Sequence, residues 1–310
     1  MHNLYPLLYA RTVWDATVEA FGEAGAVLWA RAAWAGSQRY PVHWSGDGVA
    51  RWEDLPCVLR AMLSFGLSGF PFYSHDIGGF SGWPSPELYL RWAQLGFFSS
   101  HVRAHGAGRR EPWAFGEAAE DVFRRYAELR YRLLPYLWTE ARRCGETSLP
   151  MARALVLDFA DDPTSYAIDD QYLFGENLLV APVLDQRDRR RVWFPPGGWV
   201  DFWTGEVVSG PCTKMVNAPL DVLPLWVRAG AVVPMGPVQQ HTEELALTPL
   251  TVHVYAPMAS GSYRVHTDTD DIAISYRKTD RHLAVTVEGA PGEVLVRVHG
   301  AEHLDVGLSR

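Results

Sequence analysis

Four times within the first 145 residues, a short apolar run ends in polar or charged residues, and a segment with helical spacing precedes the first run and follows each of the other three. The runs are AVLWA (26–30), YPVHW (40–44), FPFYSHDI (70–77) and FSSHVRAHG (98–106). Runs of this kind without polar alternation suit strands covered on both faces, and strand–helix alternation is the pattern of a parallel sheet. The spacing predicts helices over 2–23, 52–65, 85–98 and 117–143. The first carries Leu4, Leu7, Leu8, Trp14, Val18 and Phe21 near one face and ends at Gly25. The last carries Val122, Tyr126, Leu129, Leu133 and Leu137, with a kink at Pro135 and a cap at Gly145. A closed (β/α)8 barrel needs eight such units. Four make half a barrel, with two open strand edges and an uncovered apolar wall.

From about residue 147 the character changes. LLVAPVL, RRVWFPP, GWVDFWTG, LPLWVRA and AVVPM read as short strands between Gly and Pro turns, the signature of an antiparallel β-sandwich. TVHVYAP, SYRVHTD, IAISYRK, LAVTVEG and EVLVRVHG alternate and read as a second, smaller β domain. The expected organisation is α/β followed by all-β: residues 1–146 as the second half of a barrel, 147–240 as a proximal β-sandwich and 241–310 as a distal β domain.

Composition excludes several functions. The net charge is −8 and no basic stripe interleaves with aromatics, so nucleic acid is not an expected partner. No apolar run approaches the roughly 18 residues of a membrane span, so neither is a membrane. The opening residues MHNLYPLLYART lack the features of a signal peptide. Cys57, Cys144 and Cys212 are far apart and odd in number. They fit neither a disulfide framework nor zinc spacing, and they suit a reducing, cytoplasmic compartment. No metal or cofactor is implied. The 13 Trp residues read as core by count alone, although aromatic faces also stack on sugars.

The chemistry-bearing residues sit where the apolar runs end, the end at which barrels carry their active sites. Arg31 closes the first run and, if buried, needs an anionic partner; a structural ion pair would serve as well. Asp47 follows His43, Trp44, Ser45 and Gly46. A carboxyl beside Trp can have a raised pKa and act as a general acid, while a plain helix N-cap is the alternative. His75, Asp76, Gly78, Gly79 and Phe80 form either a ligand-approaching loop or an ordinary turn. Arg103 and His105 line either a polar cavity or a solvated loop.

The strings RAAWAGSQRYPVHWSGDGVARWEDL, FYSHDIGGF, RWAQLGFFSSHVRAHG, REPWAF, RLLPYL, LLVAPV and WVDFWTG, in this order and spacing, resemble glycoside hydrolase family 31 across nearly the whole chain. That family contains α-glucosidases, α-xylosidases, transglycosidases and α-glucan lyases. The forms PVHWSGD and SHDIGGF look most like the α-xylosidase type. The resemblance implies Asp47 as general acid/base after barrel strand six. It implies Arg31 as a contact to the acid/base and the sugar, and Trp44 as a ring stacked near the cleaved bond. Asp76, Phe80, Arg103 and His105 become sugar-site residues.

A retaining glycosidase uses two carboxylates about 5–5.5 Å apart. The family's nucleophile is an Asp in a Lys-x-Asp-aromatic-Gly-Glu context just upstream of the helix that opens this chain, so its absence from these residues is expected. Lys278-Thr279-Asp280 has the Lys-x-Asp spelling, but Arg281, His282 and Leu283 follow it in the distal β segment. It is rejected. The implied function is a retaining α-glycosidase acting on terminal α-linked xylose or glucose, present without its nucleophile and inactive alone. The alternatives are an inactive remnant and a weak carbohydrate-binding protein. The implied partners are a glycoside or oligosaccharide substrate and either the first half of the barrel or a second copy.

Overall fold

The computed structural model describes residues 1–40, 42–244, 247–301 and 303–310. Helix α1 (Tyr5–Phe21) is followed by β1 (His43–Trp44), α2 (Asp54–Leu67), β2 (Tyr73–Ser74), α3 (Pro86–Phe97), α4 (Glu117–Arg132) and α5 (Leu134–Thr147). Strands β1 and β2 pair in parallel, His43 opposite Tyr73 and Trp44 opposite Ser74. Parallel bridges extend this pair on both sides, Ala30 to His43 and Ser74 to His101. Four consecutive chain segments therefore lie side by side in one direction. Main-chain bonds knit them, among them Ala30 N–H to Val42 O (2.9 Å) and Ser45 N–H to Ser74 O (3.0 Å). This is part of a barrel wall, with α2 and α3 connecting the last three segments.

Helix α3 is buried on every side from Leu88 to Phe97, including Arg91 and Gln94. The polar pair is accommodated because it caps a loop of the β region. Arg91 donates to the carbonyls of Ala218, Pro219 and Val222, and Gln94 donates to that of Leu220. Bonds of this kind satisfy the two terminal nitrogens of a buried guanidinium that has no carboxylate beside it, while its buried Nε has no partner among the described residues.

The β region holds three sheets. The largest has six strands, in the order β3 (Ala152–Ala154), β4 (Tyr172–Phe174), β5 (Leu178–Val180), β8 (Leu225–Arg228), β6 (Arg189–Asp201) and β7 (Val207–Asn217). Its pairings are antiparallel. β10 (Leu250–Tyr255) lies between β9 (Val232–Met235) and β14 (Val294–His299), antiparallel to the first and parallel to the second. The last sheet runs β11 (Ser260–Val265), β12 (Ile272–Lys278), β13 (His282–Glu288), β15 (Asp305–Ser309).

Several expectations are corrected. The run 26–30 is not covered on both faces: Val27 is 65% and Trp29 38% exposed, because this segment has a neighbour strand on one side only among the described residues. Helix α1 ends at Gly22 rather than Gly25, and only Ala10 of it is buried. The long last helix is two, separated at Leu133, with Pro135 in the first turn of α5. There its missing N–H costs nothing. Ser148, not Gly145, occupies the left-handed cap. RRVWFPP and the GWVD of GWVDFWTG form one strand, β6, whose pairing shifts register between Phe194 and Gly197. β10 does not alternate but is buried at all six positions.

Glu140 of α5 joins these layers. It is fully buried and accepts from Tyr263 Oη of β11 (2.9 Å), from the Glu176 N–H (2.9 Å) and from Arg143 (2.9 Å). Arg153 of β3 approaches within 4.0 Å. Burial raises the Glu140 pKa above its ordinary value, against the pull of Arg143 and Arg153. Replacing Glu140 by alanine strands these donors, and breaking a buried charge network this way costs roughly 3 kcal/mol. Urea denaturation should show it as a lower midpoint with an unchanged slope. An unchanged midpoint would remove Glu140 from the account of how helix and sheets are joined.

Candidate active site

The seven residues implied as site residues, Arg31, Trp44, Asp47, Asp76, Phe80, Arg103 and His105, lie at or just beyond the C-terminal ends of the parallel segments. Arg31 follows the bridge at Ala30, Trp44 ends β1, and Asp47 lies three residues further on. Arg31 Nη1 stands 3.7 Å from Asp47 Oδ2, with side chains 61% and 40% exposed. The expectation of a buried Arg31 is therefore corrected, since this arginine reaches over the turn from an open edge. Gly46 makes that reach possible. It has φ +79°, and a Cβ there would stand 2.9 Å from Arg31 Nε.

Asp47 does not cap the following helix. That helix has no side-chain cap; Asp54, in its first turn, instead accepts from the Val49 N–H of the preceding loop at 2.7 Å. Asp47 is left at the surface with Arg31 beside it.

Trp44 lies under two guanidinium groups, Arg31 at 5.5 Å and Arg103 at 4.3 Å from the ring centre. Arg103 also lies 5.6 Å from the ring of Trp29. It sits against two indoles, a favourable place for a cation. Its Nε donates to Asp76 Oδ1 at 2.7 Å, and its Nη2 reaches the same oxygen. Burial raises the pKa of Asp76, while the Arg103 hydrogen bond and charge pull it back. Among the described residues, nothing donates to its other oxygen, Oδ2, which is buried. The rings of Phe80 and His105 are 5.7 Å apart.

The loops are bonded to one another through main chain. Gly48 O accepts from the N–H groups of Phe80 (2.8 Å) and Ser81 (3.0 Å), and Ser81 O accepts from Ala50 N–H. Arg103 O accepts from Ile77 N–H, and Phe80 O from Ala107 N–H.

His75, read with this cluster, points away from it. It is buried against α3, and its Nδ1 accepts from Trp92 Nε1 at 3.2 Å. Trp29 is a contact that sequence reasoning missed, having been counted as core. A signal was available: strand side chains alternate, so residues 29 and 31 share a side. Asp280 lies in the turn between β12 and β13. No group of three or more potential metal ligands occurs among the described residues.

The cavity of 1090 Å³ does not coincide with this cluster. It is lined by Val27, Val42, Phe72 and Ser100 from the strand segments together with Leu137 and Trp138 of α5. Those strand residues precede the site residues, so the hollow opens toward the opposite ends of the segments. No described helix is long and apolar enough to cross a membrane.

Comparison with known proteins fits this geometry. The family 31 glycosyl hydrolase TIM-barrel domain matches residues 1–140, and the family 31 C-terminal domain matches residues 148–233. The chain is 36% identical to alpha-glucosidase 2 of Bacillus thermoamyloliquefaciens, over 96% of its own length and 38% of the relative's. It is 38% identical to an alpha-xylosidase of Emericella nidulans, over 76% of its length and 31% of the relative's. The solved family 31 alpha-xylosidase of Xanthomonas citri superimposes with a TM-score of 0.83 at 30% identity, covering 95% of this chain and 36% of that one. A Flavobacterium johnsoniae family 31 dextranase complexed with glucose gives 0.85 at 31% identity, covering 90% and 38%. The chain thus spans under two fifths of each of these relatives. It belongs to glycoside hydrolase family 31, of which it carries the second half of the TIM barrel and the C-terminal β region.

Proposed function

We propose that these residues form the acid/base half of a retaining α-glycosidase site for terminal α-linked xylose or glucose. The observation that carries this reading is the convergence at one strand end: an exposed Asp47 beside Arg31 and Trp44, with a buried carboxylate oxygen of Asp76 left without a donor. In this reading Asp47 protonates the leaving oxygen and then draws the proton from water. Arg31 orients it, and the Trp44 face packs on the sugar beside the cleaved bond. Asp76 Oδ2 accepts from a sugar hydroxyl, Arg103 holds Asp76 in place and itself faces the sugar, and Phe80 and His105 wall the same subsite. No metal or cofactor takes part.

Retaining chemistry needs a second carboxylate on the other face of the ring. Among these residues none matches the family's nucleophile. The edges at residues 26–30 and 101–103 also lack a neighbour strand among the described residues. The partner is therefore the first half of the barrel, and the segment before residue 147 works as part of that barrel. The test is to assay residues 1–310 on aryl α-xyloside and α-glucoside, alone and mixed with a fragment carrying the first half. No turnover alone and turnover on mixing is the expected result. Turnover by the chain alone that vanishes in Asp47→Ala would overturn it, since a nucleophile would then lie within these residues.

A further inference from the structure

We propose that Arg110 is a positioning residue that holds the Phe80 loop, and through it the Asp47 loop, at the height the site requires. The inference rests on the glycosidase reading for its purpose but not for its geometry. Arg110 is buried, 3% exposed, and no carboxylate stands within ion-pair distance of its guanidinium among the described residues. Its donors go to carbonyls instead. Nε and Nη2 both donate to Gly79 O (2.9 and 2.7 Å), and Nη2 also reaches Gly82 O (2.8 Å) and Phe80 O (3.3 Å). Nη1 donates to Arg109 O at 2.8 Å. One planar cation thus gathers the carbonyls of a single turn from behind.

A guanidinium suits this place because its donors fan out in a plane toward several acceptors, whereas an ammonium presents three from one point. Space for it is made at Gly106, where a Cβ would stand 2.9 Å from Arg110 Cζ. The residue is fixed in turn by Tyr89, whose hydroxyl donates to Arg110 O at 2.7 Å. The turn it holds donates two N–H groups, from Phe80 and Ser81, to Gly48 O, the residue after Asp47. Arg110 therefore acts on the acid/base loop through one intermediate turn and touches no substrate itself.

The experiment is amide hydrogen exchange on residues 1–310, comparing peptides that cover 46–51 and 78–83 with a reference over β13. In Arg110→Met, exchange at Phe80 and Ser81 is expected to accelerate about tenfold or more while β13 keeps its protection. Arg110→Lys should fall between. In Arg110→Ala, added methylguanidinium should restore protection of the two loops. Unchanged loop exchange in Arg110→Met overturns the proposal, as does acceleration that extends equally to β13. Failure of methylguanidinium to restore the loops, including failure of Arg110→Ala to fold in its presence, also overturns it. Because the readout is loop protection and not turnover, a chain with no glycosidase activity still decides the question.

Discussion

In a barrel completed by its first half, Asp47→Ala should lower kcat on α-glycosides with poor leaving groups by about 10²–10⁴-fold. On substrates with activated aryl leaving groups the loss should be far smaller at the bond-breaking step. The difference is chemical: a sugar alkoxide needs a proton as it departs, and a nitrophenolate does not. In the proposed reading Asp47 supplies it, exposed at the strand ends with Arg31 3.7 Å away. The same mutant should recover partly with azide, since a small anion resolves a glycosyl–enzyme intermediate without a general base. Steady-state kinetics across a series of leaving groups is the measurement. Equal losses on good and poor leaving groups would take the acid role away from Asp47.

Lowering the pH from 7 to 5 should cost the folded chain about 2 kcal/mol for each of three histidines, or roughly 6 kcal/mol together. Burial holds His43, His75 and His101 at pKa values of about 4, with Arg103 adding to the effect on His75 and Arg130 on His101. His43 is wedged against the rings of Phe65 and Phe70, and His75 takes the Trp92 N–H on Nδ1. An unfolded histidine titrates near 6.5. Below that pH the unfolded chain binds protons that the folded chain refuses. The stability is therefore complete above pH 6.5, is lost as the pH falls toward 4, and does not fall further from this source below 4. A loss of this size is comparable to the whole stability of many domains. All three residues sit on adjacent parallel segments, so the barrel segment should open first. Urea midpoints at pH 7.5 and 5 test this, and His75→Gln should remove about 2 kcal/mol of the dependence. Equal midpoints at the two pH values would refute it.

Much of this was legible in the amino-acid order. Apolar runs ending in polar residues gave a parallel sheet with its chemistry at one end, because strand direction carries every run's end to the same side. What failed depended on neighbours that local pattern does not encode. Spacing gave α1 an apolar face, but whether Leu8 and Phe21 are covered depends on what packs there, and both are exposed. Arg31 follows an apolar run, yet its burial depends on a strand beyond it. Pro195 and Pro196 read as a break between strands, while the chain passes them within β6 at a register shift, where absent N–H groups are tolerated. β10 looked two-faced by its polar Thr251 and His253, but its central place buries both. Arg110 was visible only as part of the REPWAF string; that its donors converge on a turn some thirty residues earlier is a property of the fold.

The bonds that lace the three loops run between main-chain groups: Phe80 and Ser81 to Gly48, Ala50 to Ser81, Ile77 to Arg103, Ala107 to Phe80. Main-chain donors and acceptors are the same whatever side chain a residue carries. The lacing is therefore indifferent to mutation at the positions whose side chains it displays. Phe80 or His105 can be exchanged, and in the proposed reading the sugar preference altered, without unpicking the bonds that join their loops to that of Asp47. Over evolutionary time such a frame lets the displayed side chains drift while the placement of the loops is inherited intact.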